Sequence, residues 1–328
     1  MPAVVCGTWM AAAGAIAVVW SGVASAQAMR YPVKPIRIVN PLTPGGAVDI
    51  VARPIAQKLS EAWGQPVIIE NRPGAGTTIG TEAVVRAAPD GYTLLAASAA
   101  ISVNVSLYRN LSFDPVKDLA PVALVVQTPH ILAVHPSVPA RSVRELISLA
   151  QAKPGEVVYA SLGAGTSTHL TMEMFKSLAK INMLHVPYKG ATPAVIAILG
   201  GEVHAIFNPP SAILPQARTG KLRALAVSSA RRAEIAPELP TVAESGLPGF
   251  EVIVWFAIFA PAETPRGIVA QLNAEINRIL QQAEVRERFL AVGMIPVGGT
   301  PDALGDYLKL EVARWAAVVK AAGVKPGE

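Results

Sequence analysis

Pro41-Leu42-Thr43-Pro44-Gly45-Gly46-Ala47-Val48-Asp49 follows the apolar run Ile36-Arg37-Ile38-Val39, and the same succession of strand, glycine turn and helix start recurs twice. Leu162-Gly163-Ala164-Gly165-Thr166-Ser167-Thr168-His169 follows Val157-Val158-Tyr159-Ala160, and Tyr188-Lys189-Gly190-Ala191-Thr192 follows Met183-Leu184-His185-Val186. A helix that opens at such a turn offers unpaired backbone N–H groups and a partial positive charge. Together these hold an anion without any lysine or arginine. Several such termini converging on one cleft would form a receptor for a small carboxylate.

Around these turns, strand and helix signals alternate from Tyr31 onward. Strand-like runs occur at 67–70, 93–96, 122–126, 131–134, 204–207, 223–227 and 252–256, and most are continuously apolar, as buried parallel strands are. Thr192-Pro193, Thr264-Pro265 and Thr300-Pro301 each read as an N-cap threonine before a first-turn proline, and Gly200-Gly201 reads as a helix stop. Val269, Leu272, Ile276, Ile279 and Leu280 form one apolar helical stripe. The alternation predicts an α/β fold with mainly parallel sheets and helices on both faces. Pro54 falls inside the helix opened by Gly46, where a proline costs about 3 kcal/mol unless the helix kinks.

With 328 residues, 52% hydrophobic and 16% charged, the chain has material for one large or two ordinary domains. Residues 1–26 read as a signal peptide: the uncharged run Ala11–Trp20 is followed by Ala24-Ser25-Ala26, with cleavage expected after Ala26 and export to the periplasm. No basic residue precedes Arg30, a departure that a misassigned start at Met1 would explain. The single cysteine, Cys6, lies in this segment, so the mature chain is expected to lack disulfides, thiolate nucleophiles and cysteine metal sites. The net charge of +5 is scattered and aromatics are 5%, which argues against nucleic-acid binding.

Catalytic and cofactor patterns are missing where they would be needed. Gly163-Ala164-Gly165 and Gly74-Ala75-Gly76 lack the downstream acid of a dinucleotide site, and no glycine turn leads into G-K-[ST]. No G-x-S-x-G elbow exists, and Ser167 and His169, two apart at a helix start, diverge rather than form a relay. The five histidines share no metal-ligand spacing. No cofactor, metal or catalytic residue is therefore expected. Asp49 either fixes the Gly45-Gly46 loop or accepts a hydrogen bond from a ligand or water. Lys189 is either a solvated lysine or a long-range attractor for anions. His169 sits at a helix N-terminus, which disfavours its charged form.

The chain resembles the Bug family, the extracytoplasmic receptors of tripartite tricarboxylate transporters. The resemblance covers essentially the whole mature chain. It rests on Tyr31–Arg37, Pro44-Gly45-Gly46 with Asp49, Glu70–Gly76, Pro89-Asp90-Gly91-Tyr92, Gly165–Leu170, His185–Gly190, Gly220–Ala224 and Pro240–Ala243. It implies a two-lobed type II periplasmic binding fold, with lobe 1 from residues 27–128 plus 252–328 and lobe 2 from 129–251. It also implies a monomeric receptor, not an enzyme, that delivers a small carboxylate to integral-membrane transporter subunits. The binding atoms are then expected from Gly45, Gly46, Asp49 and Ser98 on one lobe. Gly165, Thr166, Ser167, His169, Lys189, Gly190 and Asn208 supply the other. The chain departs from the family pattern at Leu42-Thr43, at His204, at Asn208-Pro209 and in the weakly polar Ser98–Ser102 segment. An exported enzyme on this scaffold and a sensor that signals without transport are the alternatives.

Overall fold

The apolar runs become strands of two sheets. In a computed structural model, residues 1–3, 31–108, 110–163, 166–188 and 190–321 are described; the leader with Cys6 and Ala26, and the candidate residues Gly165 and Lys189, lie outside them. Met1–Tyr31 is set apart as a separate unit, and the account below concerns Pro32–Glu328.

The strands are β1 (Ile36–Asn40), β2 (Val67–Asn71), β3 (Thr93–Ser98), β4 (Leu119–Pro129), β5 (Ile131–Val134) and β6 (Val158–Ser161). They continue as β7 (Leu184–Pro187), β8 (Ala205–Asn208), β9 (Arg223–Val227), β10 (Ile253–Pro261) and β11 (Ile295–Pro296). One sheet has the order β11-β4-β10-β3-β1-β2 and the other β7-β6-β8-β5-β9. β1 runs parallel to β2 and β3, and β6 runs parallel to β7 and β8. The expectation of mainly parallel sheets needs correction, because β10 is antiparallel to β3 and β4, and β5 is antiparallel to β8 and β9. Both strands are buried on both faces, and a continuous apolar run reads the same in either direction.

The helices are α1 (Ala47–Trp63), α2 (Thr78–Val85), α3 (Ala100–Leu107), α4 (Val143–Ala152), α5 (Ser167–Ala179), α6 (Ala191–Leu199), α7 (Pro210–Arg218), α8 (Arg266–Leu280), α9 (Ala283–Ala291) and α10 (Pro301–Ala321). The α8 stripe is buried as its spacing predicts. Of the three threonine caps, Thr300 forms, its Oγ1 accepting from Ala303 N–H at 3.2 Å. The other two are displaced by one or two residues: Gly190 caps α6 and Pro265 caps α8. α1 continues through Pro54 rather than ending there.

The chain crosses between the sheets at Pro129–Ile131 and again between Val227 and Ile253, and Ser228 ties the two crossings together. Its Oγ accepts from His130 N–H at 2.8 Å and donates to Val252 O at 2.6 Å. Backbone bonds reinforce this, from Ser228 N–H to His130 O at 2.9 Å and from Val252 N–H to Ser228 O at 2.8 Å.

α10 serves both sheets. Leu304 and Leu308 pack into the apolar cluster of the first, whereas Trp315 and Val319 belong to the cluster of the second. Between them, Glu311 Oε2 accepts from the indoles of Trp255 at 3.2 Å and Trp315 at 3.1 Å. Its Oε1 has no aligned hydrogen bond but faces Arg314 Nη1 at 3.0 Å as an ion pair. Burial raises the Glu311 pKa, with Arg314 and the two indoles opposing the shift.

Ser228→Ala is expected to destabilise the chain by about 2–3 kcal/mol, since it leaves a buried N–H and a buried C=O unpaired. Urea denaturation checks this, and a change under about half a kcal/mol would show that the crossings hold without the hydroxyl.

Candidate ligand-binding cleft

A cavity of about 260 Å³ lies at the carboxyl ends of β1, β3 and β6. Leu42 reaches it from the loop after β1, and Ser98, Ala99, Ala100, Val103 and Asn104 from the end of β3 and from α3. Leu162, Thr166 and Ser167 face it from the second sheet, Val252–Val254 from the crossing into β10, and Trp315 from α10. Among the described lining residues none is charged. In α/β folds this position, outside the carboxyl ends of strands, is where ligands bind.

The turn before α5 uses its hydroxyls on itself. Thr166 Oγ1 donates to Gly163 O at 2.7 Å, and Thr168 Oγ1 accepts from Leu162 N–H at 3.0 Å and meets Thr166 Oγ1 at 3.1 Å. Ser161 Oγ accepts from Gly163 N–H at 3.2 Å and donates to Gly163 O at 3.1 Å. No side chain caps the first turn of α5, and the same is true of α3 on the other side of the cavity. Two helix N-termini thus open on one space from opposite sheets, each carrying a partial positive charge.

The Gly45–Asp49 turn is fixed by Asp49. Its Oδ2 accepts from Gly45 N–H at 3.0 Å and Arg53 Nε at 2.6 Å. Its Oδ1 accepts from the side-chain amides of Asn40 at 3.2 Å and Asn71 at 3.5 Å. Four donors fill the roughly four lone-pair sites of a carboxylate. Of the two readings of Asp49, the geometry supports loop fixing. Burial pushes its pKa up, but these hydrogen bonds outweigh it and hold the carboxyl below the usual range. Asn71 also donates to Leu42 O at 3.0 Å and Leu42 N–H donates to Asn40 Oδ1 at 3.0 Å, which places Leu42 on the cavity. Gly45 has φ +80°, which favours glycine, whereas Gly46 has an ordinary φ of −76°.

His169 does not face the cavity. It lies beneath α5's first turn, stacked on His185 with ring centroids 4.2 Å apart, and His185 stacks on Tyr159 at 4.8 Å. Glu173 closes the group, accepting from Tyr159 Oη and from Lys176 Nζ at 2.6 Å. His185 Nε2 meets Ser161 Oγ at 2.7 Å, so the stack braces the turn that carries Thr166 and Ser167. Burial lowers the pKa of His169 against the pull of Glu173, the direction expected from the sequence but through burial rather than the helix terminus, and pushes His185 down to about 4 with help from His169. Deeper in, His130 Nδ1 lies 3.0 Å from Thr171 Oγ1, whose own proton goes to Ser167 O at 2.6 Å, so Nδ1 is the protonated nitrogen. Burial pushes His130 down to about 3.

Asn208 ends β8 and is fully buried, yet neither Oδ1 nor Nδ2 has a partner. Extending the β6–β8 register, in which Ala160 faces Ile206, sets Asn208 beside Leu162 at the cavity wall. Of the described sequence candidates, Ser98, Thr166 and Ser167 line the cavity, whereas Gly45, Gly46, Asp49, His169, Gly190 and Asn208 are not among its lining residues. The sequence reading missed Val103, Asn104, Val252–Val254 and Trp315. None of them carried a clear signal: Asn104 is one of three polar residues on α3, with Ser102 and Ser106.

Folded, His130 and His185 stay neutral down to about 3 and about 4, whereas in the unfolded chain imidazoles protonate near pH 6.5. Between those values the unfolded chain binds more protons, so stability is full above about pH 6.5 and is lost as the pH falls. The thermal midpoint is expected to drop between about pH 7 and about pH 5, and His130→Asn to flatten the slope. A midpoint that is level across this range would mean that these histidines titrate normally.

The profile of the tripartite tricarboxylate transporter family receptor, TctC, matches residues 51–324. Protein BugT of Bordetella pertussis is 42% identical over 299 residues, covering 90% of this chain and 91% of its own. The solved structure of R. palustris Rpa4515 with adipate superposes with a TM-score of 0.78 at 36% identity, covering 90% of this chain and all 100% of its own. MatC of Rhodopseudomonas palustris with bound malate gives a TM-score of 0.75 at 34% identity, covering 88% and 100%. With two sheets flanking one cavity and these likenesses along nearly its full length, the chain belongs to the tripartite tricarboxylate transporter family of receptors and has their two-lobed, type II periplasmic binding fold.

Proposed function

We propose that the cleft captures the carboxylate of a small organic acid with backbone amides, and that the loaded receptor passes it to integral-membrane transporter subunits. The observation that carries this is the pair of uncapped helix N-termini, α3 and α5, opening on one uncharged cavity. Oriented N–H groups in a site shielded from water stabilise an anion with little reorganisation. The adipate and malate held by two relatives fit the same ligand chemistry.

In this reading Gly45, Gly46, Ser98, Gly165, Thr166, Ser167, Gly190 and Asn208 surround the solute. Asp49 shapes its loop, His169 braces α5 from beneath, and Lys189 contributes a long-range field. The lobes divide into residues 27–128 with 252–328, and 129–251, with α10 reaching from the first to the second. The mature receptor begins at Gln27, acts in the periplasm as a monomer and performs no catalysis.

Calorimetric titration with a panel of carboxylates tests this. A Cβ at Gly46 meets only Thr43 O, at 3.4 Å, so Gly46→Val is expected to fold normally and to weaken binding at least tenfold. Lys189→Ala is expected to lose only a few-fold; a hundredfold loss would show that a buried charge clamps the anion. Asn208→Leu is expected to lose about tenfold in affinity while holding or gaining stability, because it removes an unpaired buried amide. Loss of stability with affinity intact would make Asn208 a purely internal group.

A further inference from the structure

We infer that the solute is an organic acid with an unbroken hydrocarbon body, aliphatic or aromatic, rather than a hydroxylated di- or tricarboxylate. This rests on the proposed reading of the cleft and says which acids that cleft prefers. Away from the two helix starts the cavity is hydrocarbon, with Leu42, Val103, Leu162, Ile253, Val254 and Trp315 facing it. The Trp315 indole N–H is already donated to Glu311 at 3.1 Å, so that ring offers the cavity its apolar surface.

Of the polar groups that face the cavity, Ser98 and Ser167 lie at the two helix starts, and the other two are directional. Asn104 gives both amide hydrogens away, to Gly76 O at 2.7 Å and Thr77 Oγ1 at 3.1 Å. Gly76 O can only accept, which fixes the amide's orientation, and what Asn104 has left for the cavity is its acceptor oxygen. The Thr166 hydroxyl is likewise turned to Gly163 O. Donors for a carboxylate therefore concentrate at the starts of α3 and α5. A carboxylate set along the body, away from both helix starts, would meet hydrocarbon and a carbonyl oxygen, and a hydroxyl set against the apolar wall would lose its water without gaining a partner.

The anchor holding Asn104 is itself strained. Gly74, Ala75, Gly76 and Thr77 have φ of 137°, 43°, 60° and 87°, an unbroken run on the positive side that includes two residues with side chains. A Cβ at Gly76 would stand 2.2 Å from Tyr108 Oη, so a side chain there would have to displace the tyrosine as well as adopt a φ that favours glycine. Such backbone persists where the surroundings over-determine it, and here it holds Asn104 with its oxygen toward the cavity.

The experiment is calorimetric titration of the full mature chain with hexanoate, benzoate, adipate, malate and citrate. Hexanoate, benzoate or adipate is expected to bind at least tenfold tighter than malate and citrate. Leu42→Ser, a change on a partly exposed loop residue, is expected to lose about tenfold for the preferred acid and to leave malate unchanged. Malate or citrate binding tightest, or Leu42→Ser weakening all acids equally, overturns the inference while leaving the carboxylate receptor intact. Absence of heat and of thermal shift with every acid overturns the carboxylate reading itself. A preference of hexanoate for Val103→Thr over the native chain would also count against an apolar wall.

Discussion

The hydroxyls that might cap the helices at the cleft are turned away from them, and the rest of the site depends on that. Thr166 and Thr168 close the turn after β6 through Gly163 O and Leu162 N–H, and Asp49 closes the turn after β1 through Gly45 N–H. Each turn is therefore rigid without using the N–H groups of the helix that follows. A serine or aspartate reaching forward as an ordinary N-cap would add about 1 kcal/mol to helix stability and fill the place of the anion. Here the local side-chain bonds sharpen the loop and leave the helix dipole directed at the cavity.

The consequence is a site whose attraction for an anion is built into the backbone. With no charged side chain among the described lining residues, no desolvated cation has to be compensated when the site is empty. The braces behind it are neutral as well. Burial keeps His130 and His185 uncharged at ordinary pH, and Glu173 is matched by Lys176 and the Tyr159 hydroxyl. The ligand's charge is thus the dominant charge in its own surroundings.

Much of this was legible in the sequence. Strand positions, the buried α8 stripe and the glycine turns followed from period and composition, because local backbone demands leave local marks. Gly45 is an example, where a φ of +80° calls for glycine. What could not be read was direction and distance. β5 and β10 carry the same apolar runs as parallel strands, and nothing in Ile131–Val134 or Ile253–Pro261 records that they run the other way. Thr192 and Thr264 sit before prolines as caps should, yet the chain begins those helices elsewhere, since tertiary packing decides between neighbouring starts. Asn104 and Trp315 entered the site from helices whose sequence reads as ordinary packing. Their relevance exists only once α3 and α10 lie against the same space. Asp49 was ambiguous for the opposite reason, because a first-turn acid suits the helix dipole whether or not it does anything more.

α10 has one half seated on each sheet, through Leu304 and Leu308 at one end and Trp315 and Val319 at the other. Beside the Ser228-linked crossings, it is a second connection between the sheets. α10, seated on both clusters, would have to bend or shift for the angle between the sheets to change, and its Trp315 also lines the cavity. The residue that forms part of the ligand's wall is thus also part of the contact that joins the two sheets.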